Sequence, residues 1–412
     1  MESGVNTNSA LILPVQPSLP VLRLKRGEER RIVAGHLWIF SNEVDTHSTP
    51  LTGFDTGSLA QVHAHRGQFL GYAYVNPHAL ICARLVGRDQ RIAVDRQLLV
   101  QRLESALALR GRLSRAPYYR LVFGESDGLP GLVLDRYGDV IVGQIATAGM
   151  EALKPEVEEA VREVLQPATL YWKNDAGARD LEHLPHSSAA AFGPVPEELT
   201  VLELGARFQA PLARGQKTGW FYDQTANRQR LQRYLLPGAR VLDVCSYVGA
   251  WAITALLQGA GKACCVDSSA TALEFATRNA AANNVQVDTL QADAFDALKE
   301  LHERGERFDV VIVDPPAFIK RKKDVPQGQA AYRKLNQLAL ALIEEGVLVS
   351  CSCSYHLGSD ELLGAIQAAA RHSGRFVQVL EAGGQSPDHP VHPAIPETRY
   401  LKAFFCRVTG AL

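Results

Sequence analysis

The sequence predicts an α/β protein: a doubly wound, mostly parallel sheet in its C-terminal half, preceded by a small β-rich domain and a middle α+β domain. Three observations carry that expectation. From Thr200 onward, short apolar runs alternate with helical stretches at a spacing that builds right-handed βαβ units. Four of the five strand ends in that region carry an aspartate, namely Asp243, Asp267, Asp293 and Asp314. The N-terminal region instead has short alternating stretches broken by glycine, which read as strands of a separate module.

A chain of 412 residues is too long for one ordinary core and suits two or three domains. Hydrophobic residues make up 46% and charged residues 21%, the balance of a soluble globular protein. No apolar run approaches the roughly 18 residues needed to cross a bilayer. The N-terminus MESGVNTNSALILPVQPSLP lacks a basic start, and proline breaks its apolar core, so it reads as a flexible tail rather than a signal peptide. Seven cysteines, an odd number, do not make a disulfide framework and suggest a reducing, cytoplasmic setting. The formal net charge is −1, so a nucleic-acid partner would have to bind a local basic surface.

In order, VLRLKRG, HLWIF, SLAQVHAHRGQFLGYAYV and LICARLV are the expected strands of the first domain, residues 19–92, after a tail over 1–18. The middle domain, 93–198, opens on a helix near Ala93 to Arg110, whose Leu98, Leu99, Leu103, Ala106 and Leu107 share one face. Strands GLVLDRYG and VIVGQIAT flank the turn Tyr137-Gly138-Asp139; the helix EALKPEVEEAVREVLQ and the strand TLYWKND complete it, and FGPVPEEL reads as a linker. The third domain, 199–412, runs through the strands VLDVCS, KACCVD, LQAD, FDVVIVDPP and VLVSCS, with helices between them.

Ligands of such sheets lie beyond the carboxyl ends of the strands. The turn in VLDVCSYVGAWAI resembles a dinucleotide-binding turn, yet Gly249 is its only glycine, and without G-x-G-x-x-G the backbone cannot approach a pyrophosphate. Asp267 follows Asp243 at close to the roughly 20-residue spacing of a carboxylate that holds ribose hydroxyls. A ribose without a pyrophosphate points to S-adenosylmethionine. Asp293 would then hold the adenine amine, and Asp243 would lie near the methionine end. The bland alternative makes each aspartate a helix N-cap, which accounts for one of them more easily than for the whole series.

DVCSYVGAW, VDSS, ADAF, DPPAF and SCS occur in the order seen in class I S-adenosylmethionine-dependent methyltransferases, so the third domain is similar to their Rossmann-like fold. The chain resembles most closely the RlmI-type 23S rRNA cytosine-C5 methyltransferases. GEERRIVAGHLWIFSNEV resembles the start of their N-terminal PUA domain, FGESDGLPGLVLDRYG their middle domain, GQKTGWFYDQTANR their lead-in to the catalytic domain, and DHPVHPAIPETRYLKAFFCRV their C-terminal end. The resemblance implies a PUA-like RNA-binding domain and large-subunit rRNA as partner, with no membrane and no metal; a homodimer is compatible with it. It also implies cofactor contacts from Ser246, Gly249, Ser268 and Ala294, and from Gln216 and Lys217 as a cover. Cys353 of the S-C-S motif is the implied nucleophile.

The chemistry fits that assignment. C5 of cytosine is a poor nucleophile, and thiolate attack at C6 turns the ring into an enamine whose C5 can take a methyl group. Cys353 supplies the thiol, and Asp314 the acid or hydrogen-bonding group at N3 and the 4-amino group. Pro315, Pro316 and Phe318 of DPPAF would hold the base, and Lys320, Arg321 and Lys322, with Lys323, its phosphates. A second basic cluster, Arg23, Lys25, Arg26, Arg30 and Arg31, lies in the PUA-like region. No cysteine follows Pro315, so the base that removes the C5 proton has no obvious owner; His356 is a candidate set against an ordinary solvated turn histidine.

Cys351, Cys264 and Cys265 read as strand core, and Cys245 as packing near the ligand. Both cysteines of C-x-C read equally well as inert. A zinc site would need a second Cys or His pair, and a redox site C-x-x-C. Two other functions compete: methylation of a nucleobase nitrogen, which needs no thiol, and an RNA-binding protein with a vestigial methyltransferase domain.

Overall fold

A computed structural model describes residues 19–411, so the tail expected over 1–18 lies outside the described residues. The first sheet has five short strands. Val21–Arg23 runs parallel to Leu59–His63, followed by Phe69–Val75, Ile81–Gly87 and Trp38–Phe40. Leu22, Leu24, Ile39, Val62 and Val75 fill its core, completely removed from solvent. Each such side chain contributes roughly 1.5–3 kcal/mol on burial.

The middle sheet joins Ser187–Phe192, Thr169–Asn174, Val140–Ile145, Leu132–Tyr137 and Tyr118–Phe123 in that spatial order. The helix expected near Ala93 runs over Arg96–Leu113, capped by Asp95. The stretch expected as one helix from Glu151 is two, Ala148–Ala152 and Lys154–Leu165, because Pro155 favours a new first turn. The two domains are clamped together: Trp38 Nε1 donates to Glu125 at 2.8 Å, Arg84 pairs with Glu182, and Gly149 lies so close to the Tyr74 ring that no Cβ fits.

Contrary to the expected alternation from Thr200, an antiparallel hairpin, Glu198–Glu203 with Ala206–Pro211, precedes the catalytic sheet. Leu204-Gly205 forms its turn with both residues at positive φ, the geometry a two-residue hairpin needs. That sheet has seven strands: β1 (Arg240–Val244), β2 (Lys262–Asp267), β3 (Asp288–Gln291), β4 (Val310–Val313), β5 (Gly346–Ser352), β6 (Arg375–Gly384) and β7 (Lys402–Gly410). Their spatial order is β3-β2-β1-β4-β5-β7-β6, with β1 to β5 parallel and β7 antiparallel to both its neighbours. Five helices cross over: α1 (Ala250–Leu257), α2 (Ala270–Ala282), α3 (Ala294–Glu303), α4 (Val325–Ala341) and α5 (Ser359–His372).

The central strands are apolar on both faces because helices cover both. Leu242 and Val244 pack against α3, α4 and α5, whereas Val241 packs with Trp251, Ala252 and Leu273 of α1 and α2. Cys351 and Cys265 belong to that second layer and are fully buried. The strand order reverses between β1 and β4, so their carboxyl ends open the crevice that holds the site.

Candidate active site

One cleft at these carboxyl ends is lined by most of the residues singled out in the sequence. Gln216, Lys217, Ser246, Asp267, Ser268, Asp293, Ala294, Asp314, Pro315, Pro316, Phe318 and Cys353 all face it. Asp243 and Gly249 do not line it, and neither do Lys320, Arg321 and Lys322, which are exposed on the segment just after Phe318. His356 is exposed and also outside the lining.

The cofactor half is built by the β1–α1 turn. Cys245 and Tyr247 hold positive φ of 65° and 51°, and Gly249 one of 82°, so only Gly249 adopts the left-handed conformation without cost. The turn is pinned from β2: Asp267 Oδ2 accepts from Tyr247 N at 2.9 Å, and its Oδ1 from Ser269 N at 2.9 Å. Asp293 is the one aspartate of the series whose side chain caps its helix, accepting from Phe295 N at 2.8 Å. Asp243 lies beneath the floor of the cleft, completely buried, where Oδ2 accepts from Ala252 N at 3.1 Å and Oδ1 has no partner. Burial pushes its carboxyl up to about 8. Expected as a cofactor residue, it instead holds the first turn of α1.

The reacting half lies over β4 and β5. Asp314 Oδ1 accepts from Gln224 Nε2 at 2.9 Å and Oδ2 from Trp251 Nε1 at 3.2 Å. Burial pushes Asp314 up to about 6, against the lowering effect of the Trp251 N–H. Cys353, half-buried just past β5, has its Sγ 3.9 Å from Pro315 O. Burial pushes its thiol up, Lys217 opposes that rise, and Asp314 adds to it. The turn after Cys353 is held by Lys402, whose ammonium donates to Ser354 O at 2.6 Å and Tyr400 O at 2.8 Å.

Sequence reasoning missed several residues here. Asp223 lines the cleft although only 2% exposed, binding Lys217 Nζ at 2.9 Å and the Tyr400 hydroxyl. Gln224 and Trp251 hold Asp314, and Phe295, 6.0 Å from Phe318 between ring centroids, forms part of the wall. Asp223 and Gln224 stand in the quoted GWFYDQ stretch, but no periodicity marks them as site residues.

The middle domain braces this wall. Asp135, fully buried, takes both Arg120 nitrogens at 2.8 Å and the Thr218 hydroxyl, and Lys173 donates to Gly215 O. Lys217, held between those two anchors, has a positive φ of 49°.

The cleft fits S-adenosylmethionine. Asp267 and Asp293 line it past adjacent strands, Phe295 offers an aromatic wall, and the buried Ser246 Oγ has no protein partner. Among the described residues no group of three or more His, Cys, Asp or Glu side chains forms a metal cage. No described helix is long and apolar enough to cross a membrane.

This sheet order with this cleft defines an S-adenosylmethionine-dependent methyltransferase. A family profile described as an S-adenosylmethionine-dependent methyltransferase matches residues 120–406, and one for a PUA-like domain matches 22–88. Over 395 residues the chain is 33% identical to "Ribosomal RNA large subunit methyltransferase I" of Escherichia coli (strain SMS-3-5 / SECEC), covering 94% of this chain and 99% of that protein. The protein of the same name from Salmonella arizonae is 34% identical over 401 residues, covering 95% and 98%. The chain belongs to that family of PUA-bearing ribosomal RNA large subunit methyltransferases. Two solved structures share the fold: a methyltransferase complexed with SAH (TM-score 0.81, 21% identity, covering 94% of this chain and all of that one), and an S-adenosylmethionine-dependent methyltransferase from Streptococcus mutans (TM-score 0.79, 21% identity, 94% and 100%).

Proposed function

We propose that this protein methylates C5 of a cytosine in large-subunit ribosomal RNA, in the cytoplasm, through a covalent Cys353 adduct. The observation that carries the reading is the pairing of a half-buried thiol past β5 with a carboxyl past β4, in one cleft. The relatives' own name, ribosomal RNA large subunit methyltransferase I, supports the RNA substrate. Nitrogen methylation would leave Cys353 without a task.

Asp267, Asp293 and Ser246 hold the cofactor, which supplies the methyl group as an electrophile. Cys353, as thiolate, adds to C6 of the target ring. Asp314, pushed to about 6 and so able to carry a proton near neutrality, donates to N3 as the ring charge develops. The C6–S bond makes C5 electron-rich enough to take the methyl group, breaking its bond to the sulfonium, which leaves as a neutral thioether; water in the cleft then takes the C5 proton, and the electron pair expels the thiolate. Pro315, Pro316 and Phe318 frame the base, which must leave its stack to enter, at a cost of a few kcal/mol. The exposed Lys320, Arg321 and Lys322 are positioned to meet the phosphates beside it.

The test is to map 5-methylcytosine in ribosomal RNA from cells lacking the gene, complemented by wild type or by Cys353→Ala. A mark absent from the deletion strain, restored by wild type and not by the variant, is the expected result. Survival of every 5-methylcytosine in the deletion strain overturns the substrate. A mark restored by Cys353→Ala points instead to methylation that needs no thiol.

A further inference from the structure

Asp223 has no part in the reaction above, yet it is the buried carboxylate with a free acceptor in the cleft. Its Oδ2 is engaged by Lys217 Nζ and the Tyr400 hydroxyl, and its Oδ1 has no hydrogen-bond partner. A buried carboxylate oxygen left open is costly unless a ligand completes it. Asp314 differs, because each of its oxygens already accepts one protein donor, Gln224 or Trp251, and as the acid it gives a hydrogen bond to the base rather than receiving one.

The neighbours of Asp223 identify which half of the ligand it faces. It bonds Lys217 and Tyr400, and its charge acts on Cys353 beyond β5, whereas Asp267 and Asp293 lie beyond β2 and β3, on the other side of β1 and β4. A donor on the target base would complete it. In cytosine that donor is the 4-amino group; uracil presents a carbonyl oxygen there, which a carboxylate repels.

We propose that Asp223 accepts a hydrogen bond from the 4-amino group of the target base through Oδ1 and so makes the enzyme select cytosine over uracil. The proposal rests on the cytosine-C5 reading. Burial alone would raise the Asp223 carboxyl, but Lys217, His389 and the Tyr400 hydroxyl hold it below the usual carboxylate range. It is thus a permanent acceptor, while Asp314 beside it can carry a proton. Two carboxyls whose environments push them apart divide the work: Asp314 gives to N3 and Asp223 receives from the amino group.

The experiment uses the full-length protein with two RNA transcripts that differ only in cytosine or uracil at the mapped target. Methyl transfer is measured as kcat/KM, and S-adenosylmethionine affinity by calorimetry. Asp223→Asn is expected to lower the cytosine-to-uracil ratio by about tenfold to a hundredfold, since its amide can donate to the uracil oxygen, with cofactor affinity unchanged. Asp223→Glu, which keeps the charge, should retain the preference at a lower rate. A slower Asp223→Asn enzyme with its ratio intact overturns the proposal, as does a loss confined to cofactor affinity. A binding readout covers the case of an Asp223 variant that does not fold. With Asp223 intact and Cys353 changed to Ala so that no adduct forms, RNA carrying 2-pyrimidinone, which lacks the amino group, should bind about tenfold more weakly than the cytosine RNA, and equal affinity overturns the assignment. No 5-methylcytosine from wild type on either transcript would instead sink the reaction on which the proposal rests.

Discussion

Lys217 Nζ lies 2.9 Å from Asp223 Oδ2, and the same ammonium sits 4.4 Å from the centre of the Phe221 ring. The pair ties the loop braced by the middle domain to the wall beside Cys353. It also fixes a positive charge where the thiol must ionise, because Lys217 is the group that most opposes the upward push of burial on Cys353.

Replacing Lys217 with Met keeps the length of the side chain and removes that charge. The thiol of Cys353 then titrates higher, so its alkylation by iodoacetamide at pH 8 should slow several-fold, since the thiolate is the reactive form. The pH profile of alkylation should shift upward, and methyl transfer should fall with it. An unchanged profile would show that Lys217 acts on Asp223 and not on the thiol.

Asp243 makes stability depend on pH. Its carboxyl titrates near 4 in the unfolded chain and at about 8 in the fold, so between those values the folded state holds a proton that the unfolded state has released. That contribution is fully present below about 4 and is lost as pH rises to about 8. Asp243→Asn, which can still accept from Ala252 N, should flatten the decline. The gap between variant and wild-type melting temperatures should widen from pH 5 to pH 8 in favour of the variant, as read by calorimetric melts. Parallel curves would mean that Asp243 is ionised in the folded protein.

The basic segment after Phe318 should act on RNA affinity alone. Replacing Lys320, Arg321 and Lys322 together by Ala is expected to weaken RNA binding and to flatten its dependence on log salt by up to about 2, at roughly 0.7 per phosphate of a single strand. Affinity for S-adenosylmethionine should hold. An unaltered salt slope in fluorescence titrations would mean that these side chains meet no phosphate; Arg321 already has Asp324 at 3.2 Å.

The aspartate series was legible because it is local: a parallel strand buried on both faces must be apolar, so a carboxylate at its end stands out against its own strand. Cys351 could also be told from Cys353. The resemblance gives Cys351 an apolar strand position, and it lies in the apolar layer of β5, whereas Cys353 falls just past the last strand residue. The hairpin at Glu198–Pro211 was harder to see, since its pairing depends on a turn at Leu204-Gly205 that could equally have led to a helix.

By itself, then, the sequence determined the five parallel strands with the helices between them, the turn after β1, and the carboxyl and thiol at the ends of β4 and β5. Only the tertiary structure decided that Asp243 lies under the cleft while Asp223 lines it, and that the middle domain's Asp135 and Lys173 brace the loop carrying Lys217. The physical reason is separation along the chain. Asp223 meets Tyr400 across 177 residues of one domain, and Asp135 meets Thr218 across a domain boundary; no local periodicity encodes contacts so far apart in sequence.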